Sequence, residues 1–204
     1  MAAGVTSVNV VGYINVTVPT GFSYLANQLN AADLTIGKLI TTANPGTTVY
    51  TFAGNFTANT FATYYDPADP TTLVWDDATS QLKLGSGVLV YNPGAAFNVT
   101  FVGEVAQGAL STPITAGFNI VSSQVPQAGG IQSVLGYTPA PGDVVYTPAG
   151  GSPFSAHVFA PYYDPADNTT LVWDDSGEPT LAVGAAALLF SADGHAWTRS
   201  FTVN

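Results

Sequence analysis

The chain has 204 residues, 47% hydrophobic, 12% aromatic and 8% charged, a balance far from the low-hydrophobicity, high-charge composition of disorder. Three basic residues (Lys38, Lys83, Arg199) against thirteen acids leave a formal net charge of −10, which excludes a nucleic-acid backbone or an anionic lipid surface as partner. With no cysteine there is no disulfide, thiolate metal site, iron–sulfur cluster or thiol nucleophile, so stability has to come from packing.

The opening Met1-Ala2-Ala3-Gly4 carries neither a basic n-region nor an apolar h-region. Scarce Lys with abundant Thr, Gly and Asn points to a mature secreted form, its signal peptide already removed. Residues 5 to 18 then alternate. Val8, Val10, Ile14, Val16 and Val18 share one parity with Gly12, while Ser7, Asn9, Tyr13, Asn15 and Thr17 take the other, so the segment predicts a strand with one face to bury.

Further along, Thr47 to Phe52, Thr71 to Trp75, Gly87 to Tyr91 and Phe97 to Val102 are rich in Val, Thr, Tyr and Phe and bounded by Gly and Pro, the signature of short strands. Only Ala31 to Ile40 and Gly130 to Leu135 suggest helix. The run Trp197, Arg199, Phe201, Val203 puts Arg199 on an apolar face, at an edge where its charge can snorkel. The longest apolar run, Leu181 to Phe190, contains Gly184 and falls well short of the roughly 20 residues a membrane-spanning helix needs, so no membrane insertion is expected.

The strongest signal is an internal duplication. Tyr64-Tyr65-Asp66-Pro67-Ala68-Asp69-Pro70-Thr71-Thr72-Leu73-Val74-Trp75-Asp76-Asp77 recurs from Tyr162 to Asp175 with a single change, Pro70 to Asn168. Gly21-Phe22 and Val49-Tyr50-Thr51 recur at an offset of 96, and Phe101 matches Phe201 at 100. The fold predicted is all-β: two tandem β-sandwich domains of about seven strands each, immunoglobulin-like, at residues 16–107 and 108–204, preceded by an N-terminal strand at residues 1–15.

Eight of the thirteen acids lie in the duplicated motif: Asp66, Asp69, Asp76, Asp77 and their copies Asp164, Asp167, Asp174, Asp175. An oxygen-rich calcium site per domain is one reading, but the spacing fits no EF-hand loop, and Asp-Pro and Asp-Asp beside strands are ordinary turn chemistry. No metal or cofactor is expected. Nor is catalysis: His157 and His195 are each unrepeated, no nucleophile elbow, phosphate loop or zinc-binding helix motif is present, and a glycosidase pair drawn from Asp76 or Glu178 conflicts with acids duplicated in both halves. Tyr64, Tyr65, Trp75, Tyr162, Tyr163 and Trp173 could stack on sugars, although repeated aromatics in such a sandwich more often fill its core. Sequons at Asn15, Asn55, Asn98 and Asn168 are candidate glycan sites.

Ser7-Val8-Asn9-Val10-Val11-Gly12-Tyr13-Ile14-Asn15-Val16-Thr17-Val18-Pro19, Ala26-Asn27-Gln28-Leu29-Asn30, Thr100-Phe101-Val102-Gly103-Glu104-Val105 and Ser122-Ser123-Gln124-Val125-Pro126-Gln127-Ala128-Gly129 resemble a family of secreted tandem-repeat β proteins of the Verrucomicrobia type. The Asp-rich Tyr-Tyr-Asp-Pro-Ala-Asp insert departs from that pattern. Members resemble subunits of glycosylated, pilus-like helical fibrils in which an N-terminal strand of one protomer completes an immunoglobulin-like domain of another. The resemblance implies an extracellular filament subunit, with copies of itself as partners and covalent glycans as adducts.

The offset of 96 aligns Val5 to Val11 with Phe101 to Gln107, where the closing strand of a preceding repeat would stand. The donated strand is therefore expected to include Val5, Ser7, Val8, Asn9, Val10, Val11, Tyr13 and Ile14, adding by main-chain hydrogen bonds to a neighbour's sheet. A monomeric carbohydrate-binding or adhesive module is the alternative, in which the segment folds back on its own chain.

Overall fold

The computed structural model describes residues 10–63, 69, 71–149, 152–161, 169–174 and 176–203. In the first half the elements are β1 (Val11–Val18), β2 (Gly21–Leu25), α1 (Ile36–Leu39), β3 (Thr48–Phe52), β4 (Phe56–Thr63), β5 (Leu73–Trp75), β6 (Val88–Asn92) and β7 (Phe97–Glu104). The second half contains β8 (Gly108–Ile114), β9 (Gly117–Val121), β10 (Gly129–Gly130), β11 (Val144–Ala149), β12 (Ser152–Pro161), β13 (Leu171–Trp173), β14 (Thr180–Leu181), β15 (Ala187–Ser191) and β16 (His195–Phe201). The protein is all-β, built from several antiparallel sheets.

Both halves pair their strands in the same order. The first has a two-stranded ladder, β1-β7, and a five-stranded sheet, β2-β6-β3-β4-β5; the second has β8-β16 and β9-β15-β11-β12-β13. The ladder lies over the sheet, and apolar residues of alternate parity from both layers meet between them. In the first half these are Ile14, Val18, Val99 and Phe101 from the ladder against Leu25, Val49, Val88, Val90 and Trp75 from the sheet. In the second, Ile114 and Trp197 face Val121, Val145, Ala187 and Leu189. A third cluster, Tyr24 and Ala26 with Ile120 and Ala186, joins the halves.

The first half has the seven strands expected and the second nine, the additional pair being the short β10-β14 ladder, but the strand order is not the immunoglobulin-like one. In that fold strands divide four and three, with the first two side by side. Here β2 and β3 both pair with β6, and the first and last strands of each half form the opposing layer alone. Alternation marks which residues are strands and which face is buried; it leaves the choice of partner to long-range packing.

The turn or two of helix expected within Ala31 to Ile40 is the single turn Ile36–Leu39, with both end residues buried in the core. Its counterpart is a turn after β10, where the amides of Val134 and Leu135 both donate to the Gly130 carbonyl.

Two expectations about the strands need correction. The ladders pair Gly12 with Gly103 and Gly108 with Phe201, so Phe201 is the counterpart of Gly103 and the offset there is 201 − 103 = 98, not 100. Arg199 then replaces Phe101, and Trp197 replaces Val99. A slip of two leaves every side chain on its face, which is why periodicity could not detect it.

The second correction concerns the N-terminal strand. Val11, Tyr13 and Ile14, expected to be donated, pair within the chain with Glu104, Val102 and Phe101. The Val10 carbonyl prolongs the ladder by accepting from the Val105 amide at 2.8 Å. Ile14 and Val18 find in their own sandwich the burial that their parity demanded. The boundary drawn at residues 15 and 16 thus falls inside β1, and the first half starts by Val11. Val5, Ser7, Val8 and Asn9 lie outside the described residues.

Candidate functional site

The β1-β7 ladder turns Val11, Tyr13, Asn15 and Thr17 outward on one strand and Asn98, Thr100, Val102 and Glu104 outward on the other. Its middle is polar and closed on itself. Thr100 Oγ1 donates to Asn15 Oδ1 at 2.7 Å, and Thr17 Oγ1 donates to Asn98 Oδ1 at 2.8 Å, so each sequon's threonine bonds the other sequon's asparagine. Asn55 sits exposed in the β3–β4 turn, and Asn168 lies outside the described residues.

The end of the ladder nearest the N-terminus is different. Val11, Tyr13 and Val102 are 66%, 74% and 57% exposed, and Tyr13 stands directly opposite Val102. Their counterparts in the second half, Gln107, Ala109 and Ser200, are exposed too, but polar or small. Among the described residues β1 pairs only with β7, and β8 only with β16, which leaves one main-chain edge of each strand without a neighbouring strand. Such an edge is a template for another chain.

The acids of the duplicated motif that the structure describes work as turn and strand caps. Asp76 Oδ2 accepts the Thr60 amide at 3.0 Å, and Asp174 Oδ2 accepts that of Val158 at 3.1 Å in the matching place. Asp77 Oδ1 takes the amide and hydroxyl of Thr79, and Asp69 does the same for Thr71 and also accepts the Thr72 hydroxyl; the hydroxyl of Thr79 lowers the pKa of Asp77, and those of Thr72 first and then Thr71 lower that of Asp69. Asp66, Asp164, Asp167 and Asp175 lie outside the described residues. Glu178 caps the turn after β10, its Oε1 accepting from the amides of Gln132 and Ser133 at 2.6 and 2.7 Å. Among the described residues, no three His, Cys, Asp or Glu side chains cluster closely enough to hold a metal.

The aromatics divide likewise. Trp75 is buried against Phe61, with its Nε1 donating to the Ile40 carbonyl at 3.2 Å, so it offers no ring to a sugar. Trp173 packs on Phe159 in the same way but is only half-buried, its Nε1 donating to Gln132 Oε1. Tyr64, Tyr65, Tyr162 and Tyr163 lie outside the described residues.

Sequence reasoning missed a polar network in the second half. Tyr137 donates to Asp143 Oδ2 at 2.5 Å, and His195 Nε2 lies 3.1 Å from the Tyr137 hydroxyl and 3.5 Å from the same carboxylate oxygen. His195 Nδ1 is 3.3 Å from Ser191 Oγ. Asp143 and Ser191 are fully enclosed, so no substrate reaches the serine; the arrangement ties β11, β15 and β16 together. Burial, then the Asp143 hydrogen bond and charge, pushes the Tyr137 hydroxyl well above the ordinary tyrosine range. His157, the other unrepeated histidine, bonds the Gly177 carbonyl and Thr147.

Arg199, in place of Phe101, reaches out to Gln127 Oε1 at 2.5 Å and stacks its guanidinium 5.1 Å from the Phe201 ring. Comparison of the chain with protein-family models, with curated proteins and with solved structures gave no match.

Proposed function

We propose that the protein is a structural subunit of an extracellular bacterial helical filament, assembled when the N-terminal segment of one copy adds as a strand to a neighbour. The observation that carries this reading is the open edge of the β1 and β8 ladders, together with the alternating apolar segment that runs on upstream of β1. The donated portion is shorter than the sequence alone suggested. Its candidates are Val5, Ser7, Val8 and Asn9, since the Val10 carbonyl is already bonded within the chain.

Strand addition supplies main-chain hydrogen bonds for affinity and pockets for alternate side chains, and head-to-tail donation propagates without closing. The reading assigns no catalysis and no cofactor. Negative-stain microscopy of the full chain and of a chain lacking residues 1–9 tests it. Filaments are expected from the first alone. Filaments from both would end the donor-strand mechanism, and a full chain that stays monomeric at every concentration would return the protein to a secreted carbohydrate-binding or adhesive module.

A further inference from the structure

We infer that the exposed corner formed by Val11, Tyr13 and Val102 is the surface against which a second copy of this chain seats. The inference rests on the filament reading and adds a side-chain interface to its strand contact.

The corner is contiguous. Val11 and Tyr13 are successive outward residues of β1, and Val102 is directly opposite Tyr13 on β7. Beside it, the backbone of Asn30 and Ala31 is pressed onto the ladder. A Cβ on Gly103 would lie 2.7 Å from the Asn30 carbonyl oxygen and 2.8 Å from the Ala31 nitrogen, so only glycine allows that approach. A groove lined by Ala31, Ala32 and Val102 runs along this side.

The fold does not require these apolar residues. The second half builds the same ladder with Gln107, Ala109 and Ser200 at the three positions, so the duplicated half serves as an internal reference. Exposed apolar residues gathered on one copy of a repeat and lacking on the other mark a contact made by that copy alone.

Covalent continuity identifies the occupant. An extended chain advances about 3.3 Å per residue. If residues 5–9 lie on a neighbour's sheet, Val11 is two residues from that neighbour and Tyr13 four, so the neighbour's surface has to come up against this corner.

The test compares three full-length chains by sedimentation velocity and negative-stain microscopy: the parent, Tyr13→Asp with Val102→Asp, and Ala109→Asp with Ser200→Asp. The first pair of substitutions is expected to leave circular dichroism and melting temperature unchanged and to raise the concentration needed for assembly by about tenfold or more. The second pair, at the matching positions, is expected to assemble like the parent. If the aspartates unfold the first variant, Tyr13→Ser with Val102→Thr replaces it with the same expectation.

Assembly of the corner variant at the parent's concentration, or equal impairment of the second-half variant, would overturn the proposal. Removal of residues 1–9 separates the two claims. If that deletion abolishes filaments while the corner variant assembles normally, strand donation stands and the corner interface falls. If the deletion has no effect while the corner variant fails to assemble, the interface stands without donation. A parent chain that never assembles overturns both.

Discussion

The Ala26 amide donates to the Gly184 carbonyl at 2.8 Å, tying the segment after β2 to the turn before β15. One repeat removed, the Ser122 amide donates to the Gly85 carbonyl at 2.9 Å, and the bridges Leu25 with Ala185 and Val121 with Ser86 flank the two bonds. The halves therefore meet through equivalent surfaces about an approximate twofold axis, as two subunits of a symmetric dimer would.

The two turn glycines at this junction should be irreplaceable. Gly85 and Gly184 have φ of +80° and +77°, and a Cβ on either would come within 2.2 Å of Thr112 Oγ1 or Val16 Cγ2, which are themselves counterparts. Gly142 has φ +87° with nothing within 4 Å. Gly142→Ala is expected to cost about 1 kcal/mol from backbone strain alone, and Gly184→Ala and Gly85→Ala about 2–4 kcal/mol through added overpacking. Urea denaturation curves check the order.

Trp75 and Trp173 occupy matching ladder positions opposite Phe61 and Phe159, which predicts a loss at both when truncated. Their burial makes the losses unequal. Trp75→Ala should cost about 3–5 kcal/mol, and Trp173→Ala, half-exposed and bonded through a side chain, nearer 2 kcal/mol. A neutral Trp173→Ala would show that the motif copy contributes nothing to the second core.

Alkaline pH should destabilise the fold through its buried tyrosines. Burial raises Tyr24 to about 12, and Tyr137 is raised further with Asp143 beside it. Both stay protonated in the folded chain where the unfolded chain ionises near pH 10, so their contribution is complete below about pH 10 and is lost as pH rises above it. Tyr137→Phe should flatten that decline, measured by the urea midpoint against pH. At neutral pH it should also cost about 1–3 kcal/mol, because Asp143 loses a hydrogen bond while its Oδ1 already has no partner.

Asn15, Asn55 and Asn98 are all exposed. Intact-mass measurement on native material is expected to exceed the 21.0 kDa of the polypeptide, with glycopeptides at these three positions. The polypeptide mass alone would remove glycosylation from the account.

Local signals carried much of the architecture. Alternation in Val11 to Val18 and Phe97 to Val102 specified strands and their buried faces, because side chains alternate across a pleat whatever the partner. Asp69 and Asp77 read as turn residues for the same reason: their bonds close within three residues. The duplicated Tyr-Tyr-Asp-Pro motif announced two similar halves, although half of the residues of its two copies lie outside the described residues.

Pairing and assembly of the halves were decided by tertiary contacts. That β1 closes on β7 rather than leaving the chain, that Phe201 stands where Gly103 does, and that His195 meets Tyr137 and Asp143 all depend on residues tens of positions apart. Such contacts leave no periodic trace, and a shift of register by two preserves every face. The twofold junction at Ala26 and Gly184 was hidden for a related reason. Backbone amides and carbonyls are common to every residue, so only the folded arrangement selects which of them meet.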